Sequence, residues 1–475
     1  MKQAYNPYLP SWEYIPDGEP YVFGDRIYVY GSHDRFDAPT FCLNDYVCWS
    51  APVGDLADWR YEGVIYRKEQ DPRNADGKRA LFAPDVARGA DGRYYLYYAF
   101  DDIGIMSVAV CDTPAGEYTY YGAVGLPDGT FVGEKPGDIY QFDPGVFVDD
   151  DGRIFLFSGF GIGEGVEEHF GGRKANGMHC MELETDMITI KKGPEHLLVG
   201  NIVDGKKTHG FFEASSMRKI NGIYYFIYSS SLSNELCYMT SDRPDGGFKY
   251  GGTLVSIGDI GFNGRTFEQR LNHTGNTHGS LVNLKGQWYV FYHRQSNRHG
   301  FSRQGCAEPI TIEADGSIKQ VEITSCGLNG GALSGKGFYP SYIACNLFTH
   351  DHTGYDEENY DNDIRPFLTQ DGGDREGGED QYVAGWRDSG VVGFKYFDLS
   401  STIKIALTVK GEGNGIIHIY TDMEQTPIAS IPVTVGAEYQ TFTGNIKPQN
   451  SKSPLYFHYA GSGTLIFKEF ALELQ

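Results

Sequence analysis

Five polar residues stand in otherwise apolar or small surroundings at comparable points of the chain. They are Asp17 in IPDGEPYVF, Asp85 in FAPDVAR, Asp143 in QFDPGVFV, Glu213 in FFEASSM and His278 in NTHGSLV. Four are acids and one is an imidazole. Carboxyls brought together repel one another, and partial burial disfavours ionisation further, so one keeps a proton near neutral pH while another stays charged. Such divided protonation is what general acid–base chemistry needs. An acid facing a water-activating base about 6.5 to 9.5 Å away is the arrangement that cleaves a sugar bond with inversion. Glu213 follows Phe211 and Phe212, an apolar setting that raises a carboxyl pKa. Asp17 lies in the turn between Pro16 and Gly18, more open ground where a carboxylate stays ionised.

The elements that must bring these residues together form a repeat. A turn dipeptide followed by an aromatic-rich strand recurs as GDRIYVY from Gly24, DGRYYLYY from Asp91, DGRIFLFS from Asp151, NGIYYFIY from Asn221 and KGQWYVFY from Lys285. Each reads as a hairpin. The spacing of 60 to 70 residues holds four short strands and their loops, the size of one propeller blade. Five units predict an all-β, five-bladed β-propeller over residues 1–325. The innermost strands of a propeller line its channel, so residues at their starts converge on the axis. The far end of each antiparallel second strand returns to the same face. It is expected to add His33, Asp34, Asp101, Asp102 and Arg294 to a polar funnel. The triple acid Asp149, Asp150 and Asp151 reads as a hairpin turn rather than a metal site.

Composition agrees with strands: 14% of residues are aromatic, and 62 glycines supply turns. A net charge of −23 repels phosphate backbones and anionic lipid, which excludes nucleic acid and membrane surfaces as partners and leaves neutral ones. No apolar run reaches about 18 residues, and MKQAYNPYLPSW lacks the charged-then-apolar pattern of a secretory signal. The expected compartment is the cytoplasm. The eight cysteines include no C-x-x-C pair and read as free thiols.

Beyond Cys326, GLNGGALSGKG forms a glycine-rich joint and the hairpin rhythm stops. Alternating runs such as VVGFKYFDL, TIKIALTVKG and TLIFKEFALEL predict a second domain over residues 326–475, a β-sandwich of the jelly-roll kind. Trp386 is expected in its core. The acidic DEENYDND from Asp356 reads as solvated loop in preference to a structural calcium site.

Six stretches in order resemble glycoside hydrolase family 43: NPYLPSWEYIPDGEPYVF at Asn6, SAPVGDLADW at Ser50, APDV at Ala83, FDPGVFVDDDG at Phe142, EASSMRKINGIYYFIYS at Glu213 and HGSLV at His278. The resemblance implies a five-bladed inverting hydrolase that releases arabinose or xylose from plant polysaccharides. Carried over by motif, Asp17 is the general base, Glu213 the general acid, and Asp143 the carboxylate that orients the acid and tunes its pKa. His278 is implied to help hold a calcium ion in the channel, largely through waters, and Arg294 in YHRQ to reach the sugar pocket. Asp85 is implied to contact substrate, with Phe82 as an aromatic wall where the family often has Trp. The stretch Tyr342 to Leu399 looks like family 6-type carbohydrate-binding modules, some of which grip sugar and some of which only buttress the propeller.

The leading expectation is an exo-acting α-L-arabinofuranosidase on arabinoxylan or its oligosaccharides, needing no cofactor for catalysis. A β-D-xylosidase is the near alternative and an arabinanase the third. A non-catalytic lectin or interaction propeller is the reading from another class, against which three converging acids argue, since binding neutral sugar needs no proton donor. Retaining fructan hydrolases share the five-bladed shape, but their N-D-P-N-G, R-D-P and E-C motifs are absent.

Overall fold

Each of the five turn dipeptides closes a hairpin, and the left-handed backbone such turns require falls on residues that tolerate it. Gly24, Gly92, Gly152, Gly222 and Gly286 all have φ between 67° and 94°. The computed structural model describes residues 2–474 apart from 164, 200–201, 204–205, 356–363 and 376–380. The DEENYDND stretch lies outside the described residues.

The hairpins are the first two strands of five sheets, the blades of a propeller. Blade 1 runs Glu19–Phe23, Arg26–Tyr30, Tyr46–Pro52 and Arg60–Tyr66. Blade 2 begins with Leu81–Arg88, blade 3 with Gly145–Val148 and blade 4 with Phe211–Ile220, each followed by three antiparallel strands. Blade 5 has three: Leu281–Leu284, Gln287–Gln295 and Arg303–Ile310.

Five apolar clusters lie between neighbouring blades, and the last joins Val29 and Trp49 of blade 1 to Phe291 and Ala307 of blade 5, so the ring closes. Closure is reinforced at both ends of the radius. Gly18 bridges Gly279 at the axis. At the periphery the Tyr8 amide donates to the Gly305 carbonyl, and the Asn6 side chain both donates to and accepts from Ala307 at 2.9 Å. Near the axis the innermost strands approach so closely that a Cβ on Gly145 would lie 2.5 Å from the Ser215 carbonyl oxygen.

The second domain is sandwich-like, built from one nine-stranded, nearly closed sheet. Its ribbon of Thr402–Tyr420 and Ser453–Leu474 pairs along its whole length, and other strands flank each half. The ribbon folds over where glycines face each other; a Cβ on Gly463 would sit 1.6 Å from the Glu412 carbonyl oxygen. Trp386 is fully buried in the resulting core against Phe467 and donates to the Gly390 carbonyl, so its ring offers no face to a ligand.

The domains share a buried polar contact. Lys395 Nζ lies 2.9 Å from both Asp259 and Glu322 of the propeller. All eight cysteines are free, and among the described residues no helix is long and apolar enough to cross a membrane.

Candidate active site

The residues at the blade starts reach the axis through local backbone irregularities rather than regular strand. Asp17 and Asp143, each flanked by proline and glycine or by proline alone, take φ of 57° and 43°. Ala83 and Ala214, beside Asp85 and Glu213, take 26° and 70°. Strand register slips between Phe82 and Asp85 and between Glu213 and Ser216. Positive φ at residues with a Cβ and bulges of this kind re-aim side chains and are drawn to functional sites.

Asp17, Asp143, Glu213 and His278 are thereby gathered into one buried cluster, each between 2 and 6% exposed. The His278 ring is its hub. Nδ1 lies 3.6 Å from Asp143 Oδ2 and 4.0 Å from Asp17 Oδ1, and Nε2 lies 3.8 Å from Glu19 Oε1. Burial would lower the imidazole pKa, but Glu19, Asp143 and Asp17 push it up to about 9.

The carboxyls differ in state. Burial alone would raise Asp17, yet Arg303, with His278 behind it, outweighs burial and holds the carboxyl well below the usual range. Arg303 Nη1 donates to Asp17 Oδ1 at 3.2 Å. His293 Nδ1 accepts the backbone N–H groups of Asp17 and His278, so its proton sits on Nε2, which donates to the Asn276 carbonyl at 3.0 Å. Burial keeps that ring neutral.

Asp143 and Glu213 move the other way. Burial, then the charge of Glu213, raises Asp143; burial, then the charge of Asp17 against the opposing Asn276 hydrogen bond, raises Glu213. Two such groups titrate as a pair that retains a proton where free carboxyls have lost theirs. Asn276 Nδ2 donates to Glu213 Oε1 at 2.9 Å, and the Ala214 N–H donates to Asp143 Oδ2 at 3.0 Å, tying Asp143 to the residue after Glu213.

Phe82 lies half-buried at one end of an aromatic chain. Ring centroids run Phe82 to Phe142 at 5.4 Å, on to Phe160 at 5.2 Å and to Phe212 at 4.9 Å, next to Glu213.

Four expected residues serve elsewhere. Asp85 is fully buried and spends its oxygens on the Tyr21 hydroxyl and the Val86 and Val146 amides; burial and the charge of Glu19 push it up to about 7. It fastens blades 1, 2 and 3 together. His33 contacts Glu13 Oε1 at 3.0 Å and the Asp45 carbonyl at 2.8 Å. Asp34 accepts Arg303 through both oxygens and so acts one step behind Asp17. Arg294 points away from the cluster because strand alternation gives the axis to His293; it donates to the Ala344 carbonyl of the second domain at 2.7 Å. Of the rim acids, Asp102 pairs with Arg79 at 2.7 Å, and burial, then the charge of Asp102, raises Asp101. The triple acid forms the hairpin turn, with Asp149 bonded to Lys219 and Tyr224.

Sequence reasoning missed Arg303, His293, Asn276 and Glu19. Period-two alternation within YHRQ is the signal that singles out His293 over Arg294. Arg303 stands on the third strand of the last blade, outside the repeated column, and carries no local signature.

The calcium expectation meets one candidate group at the axis. Both ring nitrogens of His278 and Glu19 Oε1 are buried without a hydrogen-bond partner among the described residues. A free carboxylate oxygen suits a hard cation, whereas the His278 ring, pushed toward its cationic form by the carboxylates around it, does not. A second group, His209, Glu235 and Cys237 on blade 4, brings three donor atoms within 4.8 Å of one another, but Ser230 and Thr253 already donate to the Glu235 carboxylate.

A five-bladed ring with buried acids gathered at its axis is the architecture of a propeller glycoside hydrolase. Residues 14–318 match the pattern of Glycosyl hydrolases family 43, and the chain belongs to that family. It is 48% identical over 479 residues to a xylosidase/arabinosidase of Thermoclostridium stercorarium, covering 99% of each chain. Among solved structures, a GH43_1 enzyme from Xanthomonas citri complexed with xylose aligns with 69% of this chain and 96% of its own, at 25% identity and a TM-score of 0.52. An arabinoxylan arabinofuranohydrolase from Bacillus subtilis, in complex with cellotetraose, aligns over 99% and 97% at 20% identity and a TM-score of 0.52, a likeness of fold alone.

Proposed function

We propose that the chain is an inverting exo-hydrolase that releases terminal α-L-arabinofuranose from arabinoxylan or its oligosaccharides. The observation that carries the reading is the gathering of Asp17, Asp143 and Glu213 in one buried cluster, where a guanidinium donates to Asp17 and neutral amides donate to the other two. Asp17, ionised by Arg303, takes a proton from water as it attacks the anomeric carbon. Glu213 gives its proton to the departing oxygen, so the leaving group departs as an alcohol and the carboxyl becomes a carboxylate. Burial and the charge of Asp17 favour the protonated form of Glu213, and Asp143 ties down the backbone beside it through the Ala214 amide. The aromatic chain ending at Phe82 and Phe212 offers an apolar face to a sugar ring. A calcium ion held through Glu19 would supply positive charge at the funnel floor.

A β-D-xylosidase is the second reading, favoured because the 48% identical relative is named for both sugars. The same acids serve either ring, and a few pocket contacts decide between them. Incubation with aryl α-L-arabinofuranoside and aryl β-D-xyloside side by side, with the first-formed anomer followed by proton NMR, tests both. Faster release of arabinose with inversion is expected. Preferential release of xylose selects the second reading, and a retained anomer overturns the mechanism.

A further inference from the structure

The second domain grips the loop that carries Asp34. Asp374 Oδ1 accepts the Phe36 backbone N–H at 2.7 Å, and its Oδ2 accepts the Asn44 side-chain amide at 3.0 Å. Gln370 Oε1 accepts the Tyr14 hydroxyl at 2.6 Å, and the Tyr14 ring stacks on Phe36 at 5.6 Å. The Tyr14 carbonyl in turn accepts the Asp34 N–H at 3.0 Å.

Inside the loop the same contacts converge on Asp34. Asn44 Nδ2 donates to the Asp34 carbonyl at 3.2 Å as well as to Asp374, and the Cys42 N–H donates to Asp34 Oδ1 at 3.0 Å. Asp34 then takes Nε and Nη2 of Arg303 at 2.9 and 3.0 Å, and Arg303 Nη1 reaches Asp17. A continuous run of polar contacts therefore links Asp374 in one domain to Asp17 in the other.

The loop between Tyr30 and Tyr46 belongs to no strand, and a connection of this length takes its shape from what it touches. Ladder hydrogen bonds do not hold it; side chains do, Ser302, Glu13 and Arg303 from the propeller and Asp374 from the second domain. We infer that Asp374 is a positioning residue, through which the second domain sets the Asp34–Arg303 pair against Asp17. The inference rests on the reading of Asp17 as the base. It gives the second domain a part in turnover that needs no sugar contact of its own, consistent with the burial of Trp386.

The full-length chain carrying Asp374→Ala or Asp374→Asn tests this by steady-state kinetics on an aryl glycoside, with melting curves and amide hydrogen exchange alongside. Loosening a group that acts on the attacking water lowers kcat without weakening substrate binding, so Asp374→Ala is expected to lose about tenfold in kcat with KM within about twofold. Asp374→Asn keeps an acceptor for the Phe36 N–H and should recover part of the loss. Exchange at the Phe36 amide should quicken in the alanine variant while the melting temperature holds. An unchanged kcat in Asp374→Ala, or a loss confined to KM, overturns the inference while leaving the enzyme reading intact. Absence of turnover by the unaltered chain overturns the assignment of Asp17 as base, and the inference with it.

Discussion

Arg303 Nη1 lies 3.2 Å from Asp17 Oδ1 while the other edge of the same guanidinium takes both oxygens of Asp34. Phe41 covers its face at 4.7 Å. One cation thus serves two buried anions, a task that suits a planar fork with several fixed donors. The arrangement is why Asp17 stays ionised despite full burial.

Arg303→Lys therefore keeps the charge and loses the geometry. Activity should fall about 100-fold, the scale of misplacing a reacting group by about an ångström. A less stabilised Asp17 carboxylate holds its proton to higher pH, so the acidic limb of the kcat/KM profile should move upward. A profile that keeps its acidic limb would show that Arg303 does not set the state of Asp17.

Glu213→Gln preserves shape and hydrogen-bonding capacity but has no proton to give. On substrates with a poor leaving group kcat should drop roughly a thousandfold, within the range of lost general acid catalysis. The loss should shrink for a leaving group that departs without protonation. Equal losses on both substrates would remove Glu213 from the acid role. Calorimetric titration with the product sugar should show binding within a few-fold of the unaltered chain.

Asn276→Ala removes the hydrogen bond that favours ionised Glu213. Without it the proton is held more tightly, and loss of that proton is what ends activity at high pH. The alkaline limb should consequently move to higher pH even as the maximal rate falls from poorer orientation. A downward shift would contradict the sign of the Asn276 contribution.

Lys395→Met tests the joint between domains. Its ammonium is buried against Asp259 and Glu322 at 2.9 Å each, and removing it leaves the Asp259 carboxylate buried without that cation. Breaking a buried pair in this way costs about 3–5 kcal/mol. A clear drop in the denaturant midpoint is expected. A shift below about 1 kcal/mol would mean that water reaches Asp259 and screens it.

Much of the ring was legible because hairpins and blade cores use short-range rules. Asn221–Gly222 and Lys285–Gly286 announce turns, and alternation along runs such as RIYVY assigns faces. Alternation also predicted the β-sandwich of the second domain, but not that one continuous sheet builds it. The glycines around Gly411 and Gly463 let one ribbon bend through both layers, a consequence of two backbones meeting that neither strand shows alone.

By itself the sequence determined a five-unit β ring and the acids that its repetition carries to the axis, because turn chemistry and period-two patterning act between neighbours and a closed ring turns equal spacing into proximity. Tertiary structure alone decided the charges on those acids and the company they keep. Arg303 meets Asp17 across 286 residues and Asn276 meets Glu213 across 63, pairings that leave no local trace. Protonation follows from burial and from the nearest charges, and both exist only once the chain has closed.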